Sequence, residues 1–216
     1  EIYTLSLPEG VPSFEENLRN VRKHNAMGTS SYKKGINHLS DLSPSEFRQL
    51  NQAKTVAMHS TAEILRQQPH VKVHTPSGAP LPDAVDWRGR VPSVFSAIKN
   101  QKMCGSCWTF GSTENIETYY AIATGEMFAL SEQEIIGCAP NPDHCGGTGG
   151  CEGSIAELAF DYVTRHGLTE EWSAPYTSGN GTTGPCRNSS SPVLYLDGYV
   201  KATANDQNVE IGKAHI

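Results

Sequence analysis

Apolar residues recur at helical spacing near the start of the chain, behind a pair of residues that typically begins a helix. Ser13 and Glu16 have the spacing of a capping box, in which each side chain bonds the main-chain N–H of the other residue. The apolar positions behind this box are Phe14, Leu18 and Val21. Because proline interrupts a helix, Pro8 and Pro12 argue against an earlier start. The pattern therefore predicts a first helix from Ser13 onward.

A second short helix and a linker follow. Ser43 offers an N-cap, and Pro44 occupies the first helical position, where a missing N–H is tolerated. Residues 68–82 contain four prolines, which is typical of an exposed linker. We therefore place a domain boundary after residue 80.

The rest of the chain combines three helical stretches with one run of strand character. The first helix begins at Ser106 or Cys107 and stops at Gly125, since glycine readily adopts the left-handed conformation that ends a helix. Its predicted buried face comprises Ile116, Tyr119, Tyr120 and Ala123. Residues 193–200 are rich in apolar and aromatic residues and predict a strand.

The other two helices are each predicted from a capping box. Ser131 with Glu134 begins one helix, and Ser154 with Glu157 begins the other, which Gly167 ends. Leu130 and Ile135 are placed as a hydrophobic staple around the first box. The predicted apolar face of the later helix comprises Ile155, Leu158, Ala159, Tyr162 and Val163.

Composition and charge narrow the class of protein. The 216 residues are 37% hydrophobic and 19% charged, as in an ordinary folded protein, and the net charge of −6 argues against a nucleic-acid partner. No apolar run approaches the length of a membrane span. Charge is also unevenly divided, with +2 on residues 1–80 and −8 on residues 81–216. A basic N-terminal piece that binds an acidic body is one explanation, and chance is another.

Cysteines and sequons both point to the secretory pathway. All six cysteines lie after residue 100, and such a density favours disulfides in an oxidising compartment, with zinc binding as the intracellular alternative. Asn180 and Asn188 each begin an N-glycosylation sequon. The chain opens without Met or an apolar signal stretch, so we expect the true N-terminus to lie upstream.

The segment around Cys107 carries the candidate chemistry. A cysteine in the first turn of a helix meets free N–H groups and the positive end of the helix dipole, which favour its thiolate. Gln101, six residues earlier, supplies an amide that donates to a developing oxyanion. Taken singly, a buried core thiol and a surface glutamine explain these two residues equally well.

The surrounding pattern resembles the papain family of cysteine proteases, whose nucleophile lies in a Cys-Gly-Ser-Cys-Trp motif. The matching stretches are residues 101–112, 81–88, 130–134 and 151–154. Upstream, Phe14, Asn17, Val21 and Asn25 are similar to the second half of the ERFNIN prosegment helix of the cathepsin L-like subgroup. Residues 35–41 are similar to its companion Gly-x-Asn-x-Phe-x-Asp motif, with Leu39 in place of Phe.

The resemblance implies a fold and a domain organisation. The expected fold class is α+β, a papain-like two-domain fold of which only the helical domain is complete. Residues 1–80 are then an inhibitory propeptide with its linker, and residues 81–216 are the N-terminal part of the peptidase domain. The family is secreted, vacuolar or lysosomal, and its propeptide lies in the cleft. Peptide substrates, a monomer, and no metal or cofactor are expected.

The same resemblance implies roles for individual residues. Cys107 is the nucleophile and Gln101 the oxyanion donor. Gly153, Ser154 and Ala156 form the substrate-binding wall, where Ser154 replaces a customary glycine and narrows the cleft. The implied disulfides are Cys104–Cys151 and Cys138–Cys186, which leave Cys145 without a partner.

The general base is expected to lie outside this sequence. The family's catalytic His follows the nucleophile by about 130–150 residues, with an Asn near it, and the sequence ends at Ile216 before that point. None of His144, His166 and His215 lies in a matching motif, and His166 fits a cation at a helix C-terminus. We therefore expect the chain to lack the catalytic His and Asn and to be inactive by itself.

Three alternatives compete with the protease interpretation. A propeptide without a base suits a non-catalytic inhibitor or decoy of another papain-like protease. Cys104 and Cys107 form a CxxC redox motif, although no strand leads into it. A zinc site is the third, and its ligands would be Cys138, His144, Cys145 and Cys151, although their spacing is not that of a zinc ribbon.

Overall fold

The computed structural model describes residues 7–51, 71–90, 92–187 and 191–201. The chain divides into two compact units, Glu1–Ala53 and Lys54–Ile216. Among the described residues, no helix combines the length and apolar character needed to cross a membrane.

The first unit contains helices α1 (Leu7–Met27) and α2 (Pro44–Asn51). The predicted start of α1 at Ser13 is wrong, because the helix begins six residues earlier and continues through Pro12. Pro8 lies in the first turn, where main-chain N–H groups have no helical partner and proline costs little. Pro12 removes one hydrogen bond, and the rest of this 21-residue helix continues past that loss.

Two asparagines of α1 hold the segment that follows it. The Asn17 amide donates to the carbonyls of Ser40 and Leu42 at 3.0 and 3.2 Å. Asn25 exchanges two hydrogen bonds of 2.8 Å with the main chain of Lys34. These contacts join the two prosegment-like motifs of the sequence into one structure.

The predicted start of α2 is confirmed. Glu46 N–H donates to the Ser43 hydroxyl at 3.3 Å, and Ser43 N–H donates to the Glu46 carboxylate at 2.7 Å. Pro44 is the first helical residue.

Among its described residues, the second unit has three α-helices, α3 (Cys107–Thr124), α4 (Glu132–Cys138) and α5 (Ala156–His166). Strands β1 (Val71–Val73) and β2 (Tyr199–Lys201) pair in parallel, with Val71 opposite Tyr199. The hydrophobic core between the helices comprises Trp108, Ile116, Leu130, Ile135, Ala159, Tyr162, Val163 and Leu168. Gly125 and Gly167 follow the ends of α3 and α5, as predicted.

The two predicted capping boxes of this unit turn out differently. The Ser131 hydroxyl caps α4 by accepting from Glu134 N–H at 3.0 Å. The Glu134 carboxylate does not accept the reciprocal bond from Ser131 N–H. It accepts from the Tyr162 hydroxyl and from Thr169 N–H instead, both at 3.1 Å. The cap at Ser131 is therefore confirmed, and its reciprocal half is wrong.

The capping box predicted for α5 does not form. Ile155 is the N-cap residue, and no side chain caps the helix. The Glu157 carboxylate pairs with Lys201 at 3.4 Å. The Ser154 hydroxyl is buried and makes no hydrogen bond.

The buried face of α3 is more polar than its pattern predicted. Tyr119 is 68% exposed, whereas Glu117 is only 1% exposed. The Lys99 ammonium explains that burial, since it lies 2.6 Å from the Glu117 carboxylate and 2.5 Å from that of Glu132. Thr113 donates to the same Glu132 oxygen at 2.9 Å.

The strand predicted over residues 193–200 is wrong for most of its length. Only Tyr199 and Val200 lie in β2, because β1 offers three residues for pairing. Earlier in the run, a single antiparallel bridge joins Leu194 to Leu168.

Candidate active site

Cys107 is the first residue of α3, and its thiol is free and exposed. Cys104 is joined by a disulfide to Cys151, so the two cysteines of the CxxC motif are not joined to each other. Helix N-termini favour negative charge, because their N–H groups lack carbonyl partners and the helix dipole is positive there. The position thus suits a thiolate nucleophile.

Gln101 lies on the loop that leads into α3. Its side-chain amide donates to the Cys104 carbonyl at 2.8 Å, which turns the side chain toward the start of the helix. The main-chain carbonyl of Gln101 accepts from Cys104 N–H at 3.4 Å. The loop is thereby folded back on itself, with the amide of Gln101 and the thiol of Cys107 on one short segment.

Tyr176 joins both ends of this segment, a contact that the sequence does not predict. Its hydroxyl donates to the Gln101 carbonyl at 2.6 Å and lies 3.1 Å from the Ser106 hydroxyl. Burial raises the pKa of Tyr176, although the hydrogen bond with Ser106 acts in the opposite direction. Its partners lie 70 and 75 residues away, so no local pattern points to the contact.

The three proposed wall residues follow a short 3₁₀-helix, Gly150–Glu152. Gly153 has φ 92°, and a Cβ there would lie 2.9 Å from the Gly146 carbonyl oxygen, so only glycine fits without strain. Ser154 follows with its hydroxyl buried, and Ala156 is the first residue of α5.

Three contacts fasten this wall to the start of α3. One is the disulfide between Cys104 and Cys151. The Cys151 carbonyl also accepts from Gly105 N–H at 2.9 Å, and the indole N–H of Trp108 donates to the Gly150 carbonyl at 3.1 Å. The candidate wall therefore begins two residues beyond a covalent link to the loop that leads to Cys107.

The remaining cysteines argue against zinc. Cys138 forms a disulfide with Cys186, and Cys151 forms one with Cys104. Two of the four ligands of the zinc alternative therefore have no thiolate to bind the metal. These are the same disulfide pairs that the resemblance implies. Cys145 is free and buried. Within the described ranges, no group of three or more metal-ligating side chains comes together.

The histidines and sequon asparagines that the sequence singles out lie in different places, and two of them are not described. His144 is exposed, with φ 53°. His166 is the last residue of α5, and its ring stacks on Tyr162 with the ring centroids 4.9 Å apart. Asn180 is exposed at the end of a 3₁₀ turn. Two further residues, His215 and Asn188, lie outside the described residues.

Two family models match the chain. The model described as papain family cysteine protease matches residues 81–214, and the one described as cathepsin propeptide inhibitor domain matches residues 12–47. The second range contains the asparagine contacts that join α1 to the segment after it, and the first contains the Cys107 site.

Individual relatives agree with these matches. The chain is 33% identical over 196 residues to the rice protein Cysteine endopeptidase Rep1, covering 90% of this chain and 51% of that one. It is 37% identical over 195 residues to Cysteine proteinase B of Leishmania mexicana, covering 87% and 41%. The chain thus spans about half the length, or less, of the curated relatives it matches.

Solved structures show the same likeness. Digestive procathepsin L 3 from the larval midgut of Tenebrio molitor aligns with a TM-score of 0.73 and 28% identity, covering 93% of this chain and 61% of that one. Digestive procathepsin L2 of the same insect aligns with a TM-score of 0.75 and 26% identity, covering 100% and 68%.

Proposed function

This chain belongs to the papain family of cysteine proteases and carries a cathepsin propeptide inhibitor domain, and from that premise we propose that it is part of the zymogen of a cysteine endopeptidase. The observation that carries the proposal is Cys107, a free and exposed thiol at the first position of α3. Its neighbour Cys104 is held in a disulfide, so oxidation within the CxxC pair does not compete for the nucleophile.

The proposed reaction is peptide hydrolysis through an acyl-enzyme. The Cys107 thiolate attacks the peptide carbonyl carbon, a C–S bond forms, and the carbonyl oxygen becomes an oxyanion. The Cys107 N–H and the Gln101 amide stabilise that oxyanion. The Gln101 amide carries two hydrogens, and only one is engaged with the Cys104 carbonyl. The C–N bond then breaks, the amine leaves with a proton, and water hydrolyses the thioester.

The proton for the amine requires a general acid and base, which we propose to be a histidine beyond residue 216 and oriented by an asparagine. The curated relatives extend to about twice the length of this chain, which supports that placement. On this proposal, residues 1–216 alone do not turn over substrate. The alternative is a non-catalytic inhibitor or decoy, and the experiment described below distinguishes the two.

The proposed substrate wall is the segment that begins at Gly153. A peptide in extended conformation would run along the main chain of Gly153 and Ser154, with Ala156 at one side of the main specificity pocket. The positive φ of Gly153 supports this role, because it shapes the wall in a way that a side chain would prevent.

Residues 1–80 are proposed to be the inhibitory propeptide with its linker, and the prosegment is proposed to lie over Cys107, Gly153 and Ser154. The match of residues 12–47 to the inhibitor domain supports this, as do the proforms among the similar solved structures. The charges of +2 on residues 1–80 and −8 on residues 81–216 favour association of the two parts. The boundary at residue 80 remains a prediction.

The proposed setting is the secretory pathway, in a lysosome-like, vacuolar or extracellular compartment. Two disulfides and the exposed Asn180 sequon support it, with Asn188 as a second candidate for glycosylation. We propose a monomer whose partners are peptide substrates and its own propeptide.

The test compares residues 1–216 with a version extended through the remaining peptidase domain. Cleavage of a fluorogenic dipeptide is measured at about pH 5.5, a typical acidic-compartment value. Activity that appears only in the extended version and vanishes with Cys107→Ala supports the proposal. Activity of residues 1–216 that is lost on substituting His144 or His166 contradicts the placement of the base. An extended protein that inhibits other papain-like proteases without cleaving peptides favours the decoy.

A further inference from the structure

The Tyr176 hydroxyl bridges the residue that carries the oxyanion donor and the residue that precedes the nucleophile. A carbonyl only accepts, so the Tyr176 proton is directed to the Gln101 oxygen at 2.6 Å. The Ser106 hydroxyl, 3.1 Å away, is then the donor to the phenol oxygen. We infer that Tyr176 is a positioning residue, which fixes Gln101 relative to Cys107 for the reaction proposed above.

The placement of Ser106 shows what this bridge does at the start of α3. Ser106 is the N-cap residue, and serine at that position usually accepts a hydrogen bond from the first turn. Here its hydroxyl makes no such bond, and its backbone (φ −103°, ψ 17°) is outside the extended conformation of a capping residue. The Ser106 hydroxyl is engaged with Tyr176, and Thr109 N–H donates to the main-chain carbonyl of Ser106 at 2.9 Å. The Ser106 side chain therefore does not compete with the Cys107 thiolate for the N–H groups at the start of α3.

Tyr176 is itself held firmly enough to act as a reference point. Its ring packs edge-on against Phe110 in the first turn of α3, with centroids 5.1 Å apart. Just before it, the Ala174 carbonyl accepts from the Ser131 hydroxyl at 2.7 Å. Just after it, Thr177 N–H and Ser178 N–H both donate to the Gln133 side chain, at 2.8 and 3.0 Å. Both anchors belong to the start of α4, which packs in the core.

The inference rests on the proposed function, because Gln101 and Cys107 matter together only if an oxyanion forms between them. Small errors in the placement of reacting groups cost rate rather than substrate affinity. Loss of the Tyr176 hydroxyl is therefore expected to lower kcat and to leave KM nearly unchanged.

The experiment uses Tyr176→Phe, which removes only the hydroxyl, with Tyr119→Phe as the matched control on an exposed tyrosine. The first readout is the pH profile of iodoacetamide alkylation at Cys107 in the chain, resolved by mass spectrometry because Cys145 is also free. The second is kcat and KM of the extended protein, with active sites counted by titration of turnover with an irreversible peptide-based inhibitor, which requires a folded cleft, so that unfolded molecules are not counted.

For Tyr176→Phe we expect an alkylation profile shifted to higher pH and a kcat per active site lowered about tenfold, less than the roughly 100-fold or greater loss of an oxyanion donor itself. KM should stay within about twofold. Ser106→Ala keeps the hydrogen bond from Tyr176 to the Gln101 carbonyl. Its kcat per active site should therefore fall, but by less than that of Tyr176→Phe.

An alkylation profile of Tyr176→Phe that overlays that of Tyr119→Phe overturns the inference, whatever the turnover. If the wild-type extended protein shows no cleavage that depends on Cys107, the proposed function fails instead, and the alkylation comparison still decides the role of Tyr176.

Discussion

The indole N–H of Trp108 donates to the carbonyl oxygen of Gly150 at 3.1 Å, across 42 residues of sequence. Trp108 lies in the first turn of α3 beside Cys107, and Gly150 opens the 3₁₀ turn that leads to Gly153. Together with the Cys104–Cys151 disulfide and the bond from Gly105 N–H to the Cys151 carbonyl, this bond gives the start of α3 and the candidate wall three separate links. The bond is buried, so its loss cannot be compensated by water.

We predict that Trp108→Phe destabilises the protein by about 1–3 kcal/mol, because the Gly150 carbonyl then lacks its partner in a buried place and some packing volume is lost. Urea unfolding monitored by circular dichroism measures the change. Trp172→Phe is the control, since Trp172 is 79% exposed and its indole hydrogen bond to Glu170 faces solvent. Equal stabilities for the two variants would contradict the role assigned to the Trp108 bond.

The Lys99 cluster gives a second prediction. Glu117 and Glu132 are each 1% exposed, and each carboxylate has one oxygen without a hydrogen bond. Lys99→Met removes the cation that they share and should cost about 3–5 kcal/mol at neutral pH, because it leaves two buried negative charges side by side. Lys72→Met, at an exposed lysine, serves as the control and should change the free energy of unfolding little.

The cost of Lys99→Met should shrink as the pH falls. Burial raises the pKa of Glu132, while Lys99 and Thr113 act in the opposite direction. A carboxyl whose pKa is higher in the folded protein stabilises the fold at low pH, and this contribution is lost as the pH rises through that pKa. Without Lys99, protonation of Glu132 relieves the repulsion. A cost that grows on acidification would refute this account.

The sequence predicts helix ends correctly where they depend on contacts within one turn. Cys107, Ser131 and Gly125 mark helix ends that the sequence located, because caps and left-handed glycines act within one turn. The α+β papain-like fold was predicted from the motif blocks, and the similar procathepsin structures confirm it. Composition and periodicity alone would not have separated that fold from other α+β classes.

Contacts over long sequence separations account for the misses. Glu134 fits a capping box by spacing, but Tyr162 and Thr169 occupy its carboxylate from 28 and 35 residues away. The run after residue 193 has strand composition, yet β1 offers a partner only at its end. Tyr176 is one of eight tyrosines, and nothing in its neighbourhood indicates contacts with Gln101 and Ser106.

In the first unit, Asn25 provides a third prediction. Its side chain makes two hydrogen bonds of 2.8 Å with Lys34, which fasten the segment after α1 to that helix. Asn25→Ala should therefore cost about 1–2 kcal/mol of local stability. Amide hydrogen exchange of residues 34–42 should quicken accordingly, since local opening limits it. Asn20→Ala, at an exposed position of the same helix, should leave this exchange unchanged. Faster exchange in both variants would mean that the helix, rather than the clamp, was weakened.

The last prediction concerns Ser154, where the family resemblance expects a glycine. The Ser154 hydroxyl is buried without a hydrogen bond, and a buried hydroxyl in that state costs free energy that an apolar group would not. Ser154→Ala keeps the Cβ and removes only the hydroxyl, so it should stabilise the protein by about 1 kcal/mol. Ser178→Ala is the matched control, because the Ser178 hydroxyl is equally buried but bonds both the Gln133 amide and the Thr183 carbonyl, at 2.9 and 3.0 Å. That substitution should destabilise by about 1–2 kcal/mol. Thermal unfolding of the two variants measures the changes in stability, which should have opposite signs. A destabilised Ser154→Ala would show that the hydroxyl has a partner in the native protein.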